Sequence, residues 1–210
     1  MTVSSESFGA VAPFASAARS FAALVHDIPA DRWGGPGLGE WDLRSLVGHA
    51  SRSLITVSTY LLRPAEREDI ATPEEYYARV NPAALGLAAA GVVERGRQAG
   101  RDLGDDPAAT VDSLVSRVLD ELSDAGNPLI EVIGGAGIRL HTYLPTRTFE
   151  LAVHALDVAR AVDLSFQMAA DVLYEATGLA ARIAVAEGHG QAVLLALTGR
   201  AELPSSFSVV

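Results

Sequence analysis

The stretch from Arg147 to Asp157 carries the side chains best suited to chemistry: Arg147, Glu150, His154 and Asp157, with apolar residues between them. On a helix, Glu150 and His154 are four apart and project from one face, where a carboxylate and an imidazole can share one cation. Arg147 and Asp157 stand three residues outside that pair, on nearly the same stripe. A solvated ion pair has the same spacing, so a third ligand has to come from elsewhere.

Of the five histidines, His26 closes a helical segment and suits its negative dipole end. His189 lies between Gly188 and Gly190, at a turn, and His141 follows a strand and is expected to face solvent. His49 differs, because it falls in the middle of an apolar helical pattern. A histidine there needs a partner, either a metal ion or a backbone carbonyl in the core. Cysteine is absent, which rules out disulfides, thiolate metal ligands and a sulfur nucleophile of the chain's own. Any metal must be bound by nitrogen and oxygen, a donor set that suits zinc and several other divalent ions.

The elements that must position these residues read as helices. Apolar residues recur at helical intervals over 8–27, including Phe14, Ala17, Ala18, Phe21, Leu24 and Val25. The glycine-rich run over 31–40 is a loop. Asp42 then caps a helix to about Leu62, with Leu43, Leu46, Val47, Ala50, Leu54, Val57 and Leu61 on its buried side. Thr72 and Pro73 open a short helix. Longer ones are expected over 82–102 and 107–123, as two elements or one bent one. Residues 129–140 alternate around a glycine-rich turn and read as a β-hairpin. Pro145 is expected in the first turn of a helix ending near Val162. Another helix covers about 167–187, and the tail holds a short helix before an extended end. At 210 residues with no repeat or linker, one domain spanning 1–210 is expected.

Composition limits the partners. The net charge is −10, which argues against nucleic acid or an anionic membrane. No apolar run reaches the ~20 residues of a spanning helix, and the N-terminus lacks the pattern of a secretory signal. A cytoplasmic protein is expected, and a homodimer is compatible with the sequence. Hydrophobic residues make up 49% and aromatics only 6%, which points to aliphatic helix packing.

The segment Gly39-Glu-Trp41-Asp-Leu-Arg44-Ser-Leu-Val-Gly-His49 resembles the first signature of mycothiol-dependent maleylpyruvate isomerase-like proteins. These belong to the DinB-like superfamily of metal-binding four-helix bundles. The segment Arg147-x-x-Glu150-x-x-x-His154-x-x-Asp157 resembles the second signature, and Ala196–Pro204 is similar to the ends of many members. Asp42 stands where Thr is commoner in the family, and Ser45 where Asp is frequent. The resemblance implies an all-α, DinB-like four-helix bundle with a small β-hairpin and extra C-terminal helices.

It further implies His49, Glu150 and His154 as the ligands of a divalent metal such as zinc. The cofactor would be mycothiol or a similar small thiol, and the reaction thiol transfer to, or thiol-assisted isomerisation of, a small electrophile. The isomerase carries a further C-terminal domain for which 210 residues leave no room, so the substrate stays open. Arg147 would pair with Glu150 or bind a substrate carboxylate. Asp157 would orient a ligand or bond a neighbouring helix. Arg139 and Tyr143 are candidate cofactor contacts, and Trp41 is a pocket-mouth residue or an apolar anchor. A zinc hydrolase acting through metal-bound water, or a non-catalytic metal-binding stress protein, would use the same three ligands.

Overall fold

The computed structural model describes residues 9–80 and 89–210, and each helix in it begins or ends on a feature visible in the sequence. The first, α1 (Val11–His26), buries the expected stripe of Phe14, Ala17, Ala18, Phe21, Leu24 and Val25. In α2 (Leu43–Leu61) the Asp42 carboxylate accepts from the Ser45 N–H at 2.8 Å, satisfying one of the unpaired donors of the first turn. The short α3 (Pro73–Arg79) is capped by Thr72, while Glu75 reaches back to the Ala71 N–H.

The following helix, α4, is described over Ala89–Asp102, and the earlier part of the expected span lies outside the described residues. It is separate from α5 (Pro107–Ala125), because Gly104 takes a left-handed conformation at φ +67° and Asp106 caps a new helix. The hairpin is present but short. Strands β1 (Leu129–Glu131) and β2 (Gly137–Arg139) pair antiparallel, with Ile130 opposite Ile138. The chain from Arg63 to Ile70 lies against the hairpin, with Glu131 N–H donating to the Arg63 carbonyl and Ile70 N–H to that of Gly137.

The long α6 (Leu140–Val162) starts at Leu140, so Pro145 sits inside it rather than in its first turn. The reason lies in the end groups. Leu140 N–H donates to the Pro128 carbonyl and His141 N–H to Asn127 Oδ1, so the helix grows straight from the strand with its first donors satisfied. The proline then forgoes a single helical hydrogen bond one turn later. Helices α7 (Ala170–Ala186) and α8 (Gly190–Leu197) complete the described elements.

The chain is therefore mostly helical, with one small two-stranded sheet among the described residues. The α2 helix packs against α4, α5 and α6, and α1 packs against α5, α6 and α7. Fully buried Phe14, Phe21, Leu43, Leu46, Ile138 and Leu144 belong to one core cluster. Backbones of α2 and α4 nearly touch: a Cβ on Gly48 would stand 2.2 Å from the Gly100 nitrogen. No helix among the described residues is long and apolar enough to cross a membrane.

Candidate metal centre

Along α6, the residues Tyr143, Arg147, Glu150, His154 and Asp157 recur at alternating steps of four and three, the spacing that keeps side chains on one stripe. That stripe faces α2, and His49 meets it. One ligand atom from each of His49, Glu150 and His154 lies within 4.8 Å of the other two, as sharing an ion requires. The His49 and His154 rings meet edge to face at 4.9 Å between centroids.

His49 Nδ1 is buried and has no hydrogen-bond partner among the described residues. A polar atom in that state is costly unless something absent from the polypeptide satisfies it. The carbonyl-bonded core histidine allowed by the sequence is therefore not what the structure contains at this nitrogen. Burial, then the nearby His154 charge, lowers the His49 pKa to about 4, so its ring is neutral at physiological pH and able to donate a lone pair. Trp41 packs against that ring at 4.4 Å between centroids and donates its indole N–H to the Val93 carbonyl at 2.9 Å. It is thus an anchor between α2 and α4 that also walls the histidine.

His154 Nδ1 lies 3.3 Å from Asp157 Oδ2, and its Nε2 lies 3.5 Å from Glu150 Oε2. Asp157 favours the tautomer with hydrogen on Nδ1, which directs Nε2 at the centre. Burial works against the His154 charge, yet the bonds to Asp157 and Glu150 outweigh it and lift its pKa to about 9. Glu150 is likewise opposed by burial, and the His154 bond with the Arg147 charge carries its pKa down to about 2. Without a metal, the centre holds an imidazolium–carboxylate pair beside a neutral imidazole.

A residue that sequence spacing does not reveal completes the set. The Tyr77 hydroxyl lies 3.1 Å from Glu150 Oε1 and 3.2 Å from the Thr146 carbonyl, so its one proton serves either acceptor. Burial and the Glu150 charge hold this phenol well above its ordinary pKa, and it remains a neutral donor. It fixes one carboxylate oxygen and leaves the other facing His154. Tyr77 sits on α3, remote in sequence from either motif.

Residues 14–159 match the family model described as the mycothiol maleylpyruvate isomerase N-terminal domain. The chain belongs to this family. The match runs from the first turn of α1 to near the end of α6 and includes His49, Tyr77, Glu150, His154 and Asp157. Helices α7 and α8 lie beyond it. No curated protein and no solved structure matches the chain.

In this family member the centre opens into a cavity of ≈ 530 Å³. Four of the five tyrosines, Tyr60, Tyr76, Tyr77 and Tyr143, line it together with Arg147. The Arg147 guanidinium lies over the Tyr143 and Tyr76 rings at 4.9 and 5.2 Å, and its Nε donates to Thr146 Oγ1. It makes no ion pair with Glu150 within 4 Å, although its charge bears on that carboxylate. Burial opposes the Arg147 charge, but Tyr143, Tyr76 and Glu150 outweigh this and it stays protonated.

Tyr143 is a wall residue whose hydroxyl donates to Thr56 Oγ1 at 3.0 Å. The structure places Arg139 elsewhere, on the exposed edge of β2 beside Glu68 at 3.4 Å, away from the cavity lining. His189 lines the cavity and stacks edge-on with Phe207, while His26 bonds Asp112 on α5. His141 is half-buried in the first turn of α6.

Proposed function

We propose that this chain is a divalent-metal enzyme of the cytoplasm, with zinc held by His49, Glu150 and His154. It uses a low-molecular-weight thiol such as mycothiol for transfer to, or isomerisation of, a small electrophile. The observation that carries this reading is the convergence of two imidazoles and one carboxylate, with buried His49 Nδ1 lacking a hydrogen-bond partner among the described residues. Two nitrogens and one oxygen suit zinc and leave at least one coordination position for an exogenous ligand. A cation bound there stabilises the thiolate form of a thiol and so supplies a nucleophile at neutral pH.

The chain's own residues prepare that position. His49 is neutral and walled by Trp41, so its lone pair needs no deprotonation. Asp157 orients His154, and Tyr77 holds the Glu150 oxygen turned away from His154. The tyrosine-lined cavity beside the centre has the size of a small-molecule site. With no cysteine in the chain, the sulfur has to come from the cofactor.

The test is titration of cobalt-substituted protein with mycothiol. The expected result is a saturable sulfur-to-cobalt charge-transfer band that His49→Ala abolishes. Metal retention without that band, accompanied by ester or amide turnover in the absence of thiol, would replace this reading with hydrolysis.

A further inference from the structure

We infer that the outward face of α7, with α8 beside its end, is the interface of a homodimer in which two α7 helices pack antiparallel about a two-fold axis. Against the bundle, α7 buries Val172, Ala176, Leu179 and Ile183. The opposite side of a solvent-facing helix is ordinarily charged. Here that side presents Tyr174, Gly178, Ala181 and Val185, with Tyr174 84% and Val185 67% exposed. Next to them, α8 is apolar over 192–197, yet none of its residues is buried, and Leu194 and Leu197 are 63% and 73% exposed. Its start abuts the α7 face: a Cβ on Gly190 would stand 2.7 Å from Val185 Cγ2. No Asp, Glu or Arg falls between 188 and 199. At the edge of the α7 face, Arg182 pairs with Glu74 and Glu175, and Asp171 accepts from the Ser16 hydroxyl. The charges there are already matched within the chain. Large apolar side chains left open on two adjacent helices mark a surface that another protein covers.

Spacing identifies the occupant as a second copy of the chain. Tyr174, Gly178, Ala181 and Val185 are separated by four, three and four residues, a pattern that reads the same in either direction. With the axis crossing α7 midway between positions 179 and 180, Tyr174 meets Val185 of the partner subunit, and Gly178 meets the partner's Ala181. The small residues fall at the crossing point, where they let the two backbones approach, and the larger ones interlock at the ends. Because α8 follows Val185, its open leucines lie at the end of the interface where the partner's α7 begins. Charge favours the same occupant. Each chain carries a net charge of −10, so two copies repel over most of their surface. They meet with least repulsion where neither presents an unmatched charge, and this strip is such a place. The interface ends beside the cavity, since Glu187 and His189, in the turn from α7 to α8, line it.

Analytical ultracentrifugation of the full chain at micromolar concentration is expected to show a dimer that tightens as salt screens the mutual repulsion. Ala181→Glu, with a native circular dichroism spectrum, is expected to weaken association at least about a hundredfold. Cross-linking reads the register, because the chain has no cysteine of its own. Tyr174→Cys mixed with Val185→Cys is expected to give a disulfide-linked dimer under mild oxidation, and either variant alone to give little. Two copies of position 174 stand about 16 Å apart along the helices, beyond disulfide reach. A monomeric wild type, an undiminished dimer in Ala181→Glu, or equal cross-linking in mixed and single-variant samples would overturn the interface. The cross-linking decides the matter even if Ala181→Glu fails to fold. None of these readouts involves the metal centre, so the interface stands or falls separately from the function proposed above.

Discussion

The side chains around His154 form a relay in which each member fixes the next: Asp157 to His154, His154 to Glu150, and Glu150 to Tyr77. Removing the carboxylate charge at the far end should loosen the whole set. Asp157→Asn is expected to weaken metal affinity by about 10–100-fold with little change in fold, measured by competition with a chromophoric chelator. Unchanged affinity would mean that Asp157 only braces the helix.

The same relay sets the pH response. His154 in the metal-free protein titrates near 9, above its ordinary value of 6.5, so its charged pairing stabilises the fold fully below 6.5 and is lost as pH rises through 9. A metal has to displace that proton, whereas His49 and Glu150, at about 4 and 2, have none to give at neutrality. Uptake is therefore expected to release about one proton per ion at pH 7 and almost none above pH 10. Calorimetry in buffers of differing ionisation enthalpy reads this number. At this scale the sequence reveals the α6 stripe because helical spacing is a local property. Tyr77 reaches the cavity only through tertiary packing, and no local pattern marks it.

Among the elements, α2 and α6 matter most, because each brings a part of the centre that is incomplete alone. Their relative position is set partly by α4, whose Gly100 lets the α2 backbone approach at Gly48, the residue before His49. Gly96 similarly makes room for the Trp41 ring, since a Cβ there would stand 2.5 Å from it. Gly48→Ala is expected to destabilise the protein by about 1–3 kcal/mol, through forced separation of the two helices. It should also lower metal content, because α2 carries His49 with it. Thermal melting and elemental analysis of the same sample check both effects, and a full metal complement would show that His49 is positioned independently of that contact. The start of α2 was legible from Asp42, a cap that acts within one turn. The start of α6 was not, because Pro145 is locally at home in a first turn while the donors of the true first turn are satisfied by Pro128 and Asn127 across the hairpin.

Over the whole molecule, a bound ion cross-links α2 to α6 and binds only the folded state. Chelation is expected to lower Tm, with a stability loss of about 4 kcal/mol where free metal stood at a thousand times Kd. The loss should vanish in His49→Ala, which scanning calorimetry tests. The helical character and aliphatic core follow from composition and apolar spacing, whereas the close approach of α2 to α4 depends on glycines that the sequence marks only as small.

The account depends most directly on metal stoichiometry. Elemental analysis of wild-type protein and His49→Ala, purified side by side, should find close to one divalent ion per chain in the first and almost none in the second. Equal metal content in the two proteins would contradict it.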